Sequence, residues 1–306
     1  FDLATNATLP AAALRDVRKH QIASIQEERQ DPLTVALRRC RREIFAGTPF
    51  HRTALGTETS VGTLTTDDCR ALLDATFSGR NGVVAVFGDF DEATLLPLLE
   101  SGFGRLPEGE RRINARTCHE AISPPGEWED RLDKKQSVLV IGFRTHGLLH
   151  ADTPILSLID EACSDMGSRL FNRIREELGL AYYVGAQSFA AIGAGAFYFY
   201  LGTDPAKIGE AQSEMVKIIA DLAENGLSPD ELSRAKTTWR SSWLRAQQGN
   251  GAMADIHGWN ELNGHGADRF QALPEIVNAV SLDDIQRVAE SLLDPERAFI
   301  TRVVPT

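Results

Sequence analysis

The sequence from Ser168 to Val184 reads SRLFNRIREELGLAYYV, and it predicts a helix that leads directly into a strand. Gly167 and Ser168 provide a helix start, and apolar residues then recur on one side at helical spacing. Gly179 stands where a left-handed residue usually ends a helix. The aromatic and β-branched residues after Gly179 predict the first strand of a hairpin.

The elements predicted around this segment indicate an α+β fold. The hairpin is predicted to pair residues 181–189 with residues 196–201, and a further strand is predicted over residues 298–304. Two continuous apolar runs predict strands that are buried on both faces, SVLVIGF at 137–143 and GVVAVFG at 82–88. Helices are predicted over residues 10–47 (two helices), from 65 to about 77, and over 91–101, 153–163, 205–224, 229–247, 252–262 and 282–293.

Composition and charge exclude several classes of protein. The chain has 306 residues, of which 42% are hydrophobic and 25% charged, as in a soluble globular protein. Its net charge of −11 argues against a nucleic-acid or anionic-membrane partner. The sequence has no uninterrupted apolar run of about 18 residues, so no membrane span is predicted. The four cysteines are too sparse for a disulfide framework. We expect buried thiols at Cys40, Cys69, Cys118 and Cys163. Reduced thiols favour a cytoplasmic over a periplasmic location.

Two pairs of similar segments predict an internal repeat. Residues 13–19 (ALRDVRK) resemble 231–236 (ELSRAK), and residues 65–70 (TTDDCR) resemble 281–286 (SLDDIQ). Both pairs lie a little over 200 residues apart, and a Pro- and Gly-rich stretch over residues 107–129 reads as a linker. We therefore expect two related units, a complete one over residues 130–306 and the second half of another over residues 1–106.

Among the seven histidines, only His146 and His150 have the spacing of a metal-binding pair. The helix start at Asp152-Thr153-Pro154 places both in a loop, and no glutamate lies between them. We interpret them as solvated loop residues, with a zinc site as the alternative. No motif of a serine hydrolase, a P-loop or a dinucleotide site is present.

Residues 168–184 resemble the second-half motif of the pitrilysin/insulinase-type family of inverzincin metallopeptidases, peptidase M16. In that family an L-R-x-x-x-x-L-[GA]-Y pattern ends a helix and enters a strand. The predicted repeat agrees, because the family is built from two or four related α+β units. The resemblance implies two units here, the first incomplete, each with a mixed or antiparallel sheet and helices packed mainly on one face.

The sequence departs from the catalytic members of the family. It contains no H-x-x-E-H motif, and Ser24 stands where the third zinc ligand would lie, eight residues before Pro32. The resemblance therefore implies a non-catalytic, C-terminal half. We expect no catalytic residue, no metal and no cofactor in this chain, which alone would be inactive, and zinc in a catalytic half.

By resemblance, Arg175 and Tyr182 match residues that reach across from the non-catalytic half to hold the substrate backbone near the zinc. A guanidinium suits peptide carbonyls, and a phenol can donate to a developing oxyanion. The alternatives are an arginine that stabilises a helix C-terminus and a half-buried strand aromatic. Tyr183, on the opposite side of the strand, is expected in the core.

Three functions are compatible with the sequence, and we favour the first, in which the chain supplies substrate-binding groups and one wall of a chamber. The chain is the substrate-binding half of a zinc peptidase, a structural subunit similar to the core proteins of the respiratory complex, or an independent metal enzyme using His146 and His150. The first requires a peptide substrate and a catalytic half, which lies upstream on the same polypeptide or on a separate subunit.

Overall fold

The computed structural model describes residues 1–110 and 123–306. Its α-helices are α1 (Asp2–Thr5), α2 (Ala11–Glu28), α3 (Pro32–Ile44), α4 (Glu58–Thr63), α5 (Thr66–Thr76), α6 (Glu92–Phe103), α7 (Thr153–Ser164), α8 (Ile208–Asn225), α9 (Pro229–Ala246), α10 (Asn250–Leu262), α11 (Arg269–Ala279) and α12 (Leu282–Leu292). A π-helix covers Phe171–Glu177, inside the helix predicted from Ser168. Of these helices, only α1, α4 and α11 were not predicted. None of the helices in the described residues is both long and apolar enough to cross a membrane.

The five strands found in the described residues form one mixed sheet, which confirms the α+β class. They are β1 (Gly126–Leu132), β2 (Ser137–Thr145), β3 (Tyr183–Ala191), β4 (Ala194–Thr203) and β5 (Phe299–Pro305). Their spatial order is β1-β5-β2-β4-β3, with β1 parallel to β5 and every other neighbouring pair antiparallel. The predicted hairpin is β3–β4, and the predicted last strand is β5.

Both faces of this sheet carry helices. Alternate residues of a strand point to opposite faces, and here Leu139 and Ile141 face a large core that includes residues of α7, α8 and α12. Val138 and Val140 face a smaller core with α3. Helix α3 lies close to the sheet at Gly142, where a Cβ would come within 2.5 Å of the Cys40 sulfur. The prediction of helices mainly on one face holds for the large core, and one further helix covers the second face.

The chain divides into two compact units that interleave along the sequence. Of the described residues, unit 1 contains 1–26, 55–110 and 244–271, and unit 2 contains 27–54, 123–243 and 272–306. Unit 2 therefore holds α3, which packs on its sheet. Unit 1 holds α10, which lies against residues 85–88: a Cβ at Gly258 would approach Ala85 to 3.3 Å, and the rings of His257 and Phe87 are 4.9 Å apart.

Three pairs of helices with nearly the same spacing along the chain support the predicted repeat. Helices α2 and α9 begin 218 residues apart, α3 and α10 also 218, and α5 and α12 216. The last pair begins in each case with a capping box, Thr65 with Asp68 and Ser281 with Asp284. The predicted boundaries, at residues 106 and 130, divide the chain into two sequence repeats, which differ from the two compact units. These repeat boundaries stay a prediction.

The strand predicted over residues 82–88 is absent. The segment connects residues 79–81 to α6 and pairs with no strand in the described residues. Its side chains Val83, Val84 and Phe87 are exposed. A strand exists only when a neighbour satisfies its backbone groups, and no other strand of unit 1 is present in the described residues. The small sheet expected in the first unit is therefore not formed within the described residues. The alternative, that this strand pairs with another chain, stays a prediction.

The predicted linker and one of the predicted buried thiols lie partly or wholly outside the described residues. Residues 111–122 of the predicted linker lie outside the described residues, as does Cys118, and Gly126–Glu129 of that linker belong to β1. Cys40 and Cys163 are buried thiols as predicted, whereas Cys69 is only partly buried. Burial raises the pKa of the Cys163 thiol to about 12, and it also raises the pKa of the Cys40 thiol.

Candidate functional site

Residues 168–184 fold as a π-helix that ends at a left-handed glycine and leads into strand β3. The Ser168 hydroxyl accepts a hydrogen bond from the Phe171 backbone N–H at 3.1 Å, and Leu170 and Ile174 are fully buried. The Leu178 N–H donates to the Arg173 carbonyl at 3.2 Å, five residues back, as a π-helix requires. Gly179 has a φ of +58°, which a glycine adopts without strain.

Arg175 lies in the last turn of this π-helix, as the sequence predicted. Its side chain is 44% exposed. The guanidinium carbon lies 4.8 Å from the centre of the Phe171 ring, in a cation–π contact. Its Nε is 3.9 Å from the Glu176 carboxylate, and within the described residues its side chain makes no hydrogen bond. Most of its donors are therefore available to another molecule.

Tyr182 lies one residue before β3 and is 54% exposed. Its backbone N–H donates to the Gly202 carbonyl at 2.8 Å, which fixes the main chain at this point. No hydrogen bond to its hydroxyl is found in the described part of the chain. The next residue behaves differently, because Tyr183 is half-buried against the α3 core, where burial raises its pKa to about 12. Tyr183 thus packs against the core as predicted, but it is only partly buried there.

The sequence did not single out Arg169, the residue that anchors this segment. Its guanidinium contacts both oxygens of Glu231, at 2.9 and 2.6 Å, and donates to the Gly226 carbonyl at 3.0 Å. It also pairs with Asp221 at 2.7 Å. These partners lie more than 50 residues away in the chain, so no local pattern could have indicated them.

The residues present do not fit a catalytic zinc. Ser24 is exposed on α2, and its hydroxyl cannot supply the carboxylate that the family places there. In the described residues, one group of three or more metal-type side chains is close enough to share an ion: His146, His150 and Asp152.

His146 and His150 lie in the predicted loop, between β2 and α7, but not as independent solvated side chains. Their rings are stacked, with centroids 3.6 Å apart and planes inclined by 16°. Burial, followed by the neighbouring His150, lowers the pKa of His146. Asp152 occupies the N-cap position of α7 but makes no capping hydrogen bond, because Arg287 holds both of its oxygens, at 2.7 and 3.1 Å. That ion pair lowers the pKa of the Asp152 carboxyl.

Comparison with known proteins gives a consistent result. A sequence profile described as the peptidase M16 inactive domain matches residues 63–238. An uncharacterized zinc protease of Mycobacterium leprae is 25% identical over 283 residues, which cover 92% of this chain and 63% of that protein. The chain therefore spans less than two thirds of the length of this curated relative.

Solved structures show the same fold. The structure of a peptidase M16 inactive domain from Pseudomonas fluorescens has a TM-score of 0.90 at 18% identity, covering 99% of this chain and 73% of that one. Complex III2 from Candida albicans contains a chain with a TM-score of 0.82 at 16% identity, covering 99% of this chain and 75% of that one. At such identities these likenesses show the fold alone.

Proposed function

The chain belongs to the peptidase M16 family, and on that premise we propose that it is the non-catalytic, substrate-binding half of a zinc metallopeptidase. The profile match to the inactive domain supports this, together with the absence of H-x-x-E-H from the sequence. The name of the mycobacterial relative, a zinc protease, supports a peptidase context. In this proposal the zinc is held by the catalytic half, and this chain contributes one wall of the substrate chamber.

The observation that carries the proposal is the state of Arg175 and Tyr182. Both are large polar side chains, and a structural role would call for hydrogen-bond partners on the guanidinium and the hydroxyl. Instead both are about half exposed, and in the described residues neither side chain makes a hydrogen bond. Arg175 would donate to carbonyl groups of a bound peptide, and Tyr182 would donate to the oxyanion that forms during hydrolysis.

The catalytic half is the partner that the proposal requires, and it lies upstream on the same polypeptide or on a separate subunit. Unit 1 provides independent support for a partner. Its segment over residues 82–88 is apolar, exposed and without strand pairing, which is typical of a strand that lacks its neighbours.

Cys40, Cys69 and Cys163 are free thiols, which supports a cytoplasmic location.

The proposal is tested by reconstituting peptide hydrolysis with the catalytic half and then changing each residue. Tyr182→Phe should lower kcat by a factor of about 10²–10³, the usual cost of removing an oxyanion donor. Arg175→Lys should also lower turnover, because lysine lacks the planar donor fork that suits peptide carbonyls. Their melting temperatures should stay close to that of the unaltered chain. Arg173→Lys, an exposed arginine in the same π-helix, is the matched control and should leave kcat unchanged. Unchanged turnover in both test variants would refute the substrate-binding role.

A second function, a structural subunit without a role in hydrolysis, is favoured by one observation, the likeness to a chain of Complex III2. The two functions make opposite predictions for the same variants. A structural subunit would support assembly with its partner equally well with Arg175→Lys or Tyr182→Phe. A substrate-binding half would assemble normally but lose turnover.

A further inference from the structure

We propose that His146, His150 and Asp152 bind one divalent transition-metal ion of the Zn²⁺ class, at a site separate from peptide hydrolysis. This proposal departs from the expectation, drawn from the sequence, that the chain holds no metal. The three residues occupy one loop of unit 2, where strand β2 ends and α7 begins. Two imidazoles and one carboxylate are a ligand set that suits Zn²⁺. The proposal does not depend on the role of Arg175 and Tyr182.

The distances between the donor atoms are close to those of a metal site. The Asp152 Oδ2 lies 3.8 Å from the His146 Nε2 and 3.6 Å from the His150 Nδ1, and all three donors lie within 4.8 Å of one another. Metal bonds of about 2.0–2.1 Å in tetrahedral geometry place the ligand atoms roughly 3.4 Å apart. Both His–Asp distances are therefore within about 0.5 Å of that spacing. The two histidine nitrogens, which lie up to 4.8 Å apart, must also approach each other by up to about 1.4 Å.

The carboxylate is already oriented toward the two histidines. Arg287 donates to the Asp152 Oδ1 at 2.7 Å and to Oδ2 at 3.1 Å, so its shorter bond is to the oxygen that does not face the imidazoles. A carboxylate oxygen accepts more than one partner, and metal-binding carboxylates are commonly held by such hydrogen bonds. Asp152 itself is buried, so Arg287 fixes a carboxylate that has little freedom to turn away.

The histidines have the freedom and the access that metal binding needs. Their side chains are 38% and 44% exposed, so the stacked rings can rotate until both nitrogens face Asp152, and water can complete the coordination. Binding displaces one hydrogen bond, from the Asp152 N–H to the His150 Nδ1 at 3.1 Å. The positive charge of Arg287 and the N-terminus of α7 both oppose a cation. We therefore expect micromolar affinity rather than the tighter binding of a structural zinc site.

Titration calorimetry of the 306-residue chain with ZnCl₂, and absorption spectroscopy with CoCl₂, test the proposal. We expect one equivalent of Zn²⁺ to bind, and Co²⁺ to give a visible spectrum that Zn²⁺ abolishes. The double variant His146→Gln/His150→Gln should bind at least about 100-fold more weakly. The matched control, His20→Gln/His265→Gln, removes two histidines outside the cluster and should bind as the unaltered chain does.

Two outcomes would overturn the proposal. Equal Zn²⁺ binding by the double variant would assign the ion to other surface groups, and no binding by the unaltered chain at millimolar Zn²⁺ would leave the cluster a packing contact. A measurement on the unaltered chain decides the matter if the double variant does not fold. Zn²⁺ should shift the ring proton resonances of two histidines in its NMR spectrum, whereas uniform small shifts of all histidines would count against the site.

Discussion

Arg169 and Glu231 form a two-point ion pair that joins the start of the segment carrying Arg175 to helix α9. The distances are 2.9 Å from Nε to Oε1 and 2.6 Å from Nη2 to Oε2, and the two side chains are only 18% and 12% exposed. Burial alone would raise the pKa of Glu231, but the hydrogen bonds and charge of Arg169 outweigh it and lower this pKa. The pair therefore stabilises the geometry of the candidate site without belonging to it.

Replacing Arg169 should destabilise unit 2. Arg169→Ala leaves Glu231 charged and largely buried without its partner, which typically costs about 3 kcal/mol of unfolding free energy. Arg169→Lys keeps the charge but loses the planar two-point contact, so its loss should be smaller but measurable. Urea denaturation followed by circular dichroism measures both. Arg173→Ala removes a half-exposed arginine that pairs with Glu177 and Glu214, and it should shift the transition much less. A loss for Arg169→Ala no larger than that of Arg173→Ala would contradict the assignment.

Neighbouring residues of the π-helix should separate stability from function. Ile174 is fully buried in the large core, so Ile174→Ala should cost about 2–5 kcal/mol in unfolding free energy. Arg175→Ala removes a half-exposed side chain and its contact with the Phe171 ring, so the loss should stay below about 1 kcal/mol. Thermal unfolding of the two variants gives the comparison. If Arg175→Ala proved as destabilising as Ile174→Ala, Arg175 would have a structural role instead.

The repeated capping boxes predict how stability responds to acid. Hydrogen bonds from Ser281 lower the pKa of Asp284 below its ordinary value of 3.8, and Thr65 does the same for Asp68. A carboxylate with a depressed folded-state pKa contributes stability above pH 3.8, which is lost as the pH falls through the folded-state value. Asp284→Ala should therefore lower the melting temperature at pH 7, and the difference from the unaltered chain should shrink below pH 3.8.

A control residue at the other end of the same helix makes this test specific. Glu290 is exposed in the last turn of α12, where it has no capping role. Glu290→Ala should leave the melting temperature at pH 7 almost unchanged. A difference between Asp284→Ala and the unaltered chain that persisted undiminished at pH 2.5 would show that the ionised carboxylate is not the cause.

In the proposed assembly with a catalytic half, the apolar segment over residues 82–88 should become a paired strand. Val84→Lys puts a charge on an exposed position of the described chain, so the isolated protein should fold normally. Assembly with the catalytic half should be lost, because a charged side chain would enter a buried strand. Size-exclusion chromatography of the mixed halves measures this. Val17→Lys, an exposed apolar position on α2, is the matched control and should assemble normally; assembly of Val84→Lys to the same extent would refute the predicted pairing.

Local patterns were sufficient for the helix-to-strand segment and for most other elements. Gly179, the buried residues Leu170 and Ile174, and the exposure of Arg175 all follow from spacing, because a helix with one apolar side must turn its remaining residues outward. The same reasoning failed for residues 82–88, where the apolar run is real but strand pairing depends on a neighbour. It also missed β1, whose sequence GEWEDRL is largely charged, because an edge strand buries only alternate residues.

What the sequence determined by itself is the family, the α+β class, the lack of a catalytic zinc motif and the position of Arg175 and Tyr182, because each depends on short-range spacing or on residue type. What only the tertiary structure decided are relationships between distant residues. Helices α3 and α10 pack in units that the linear order does not suggest, Arg169 meets Glu231 62 residues away, and Arg287 reaches Asp152 across 135 residues. Such contacts depend on the path of the chain through space. The hydrophobic effect is non-directional, so the sequence of one segment does not indicate which distant segment will pack against it.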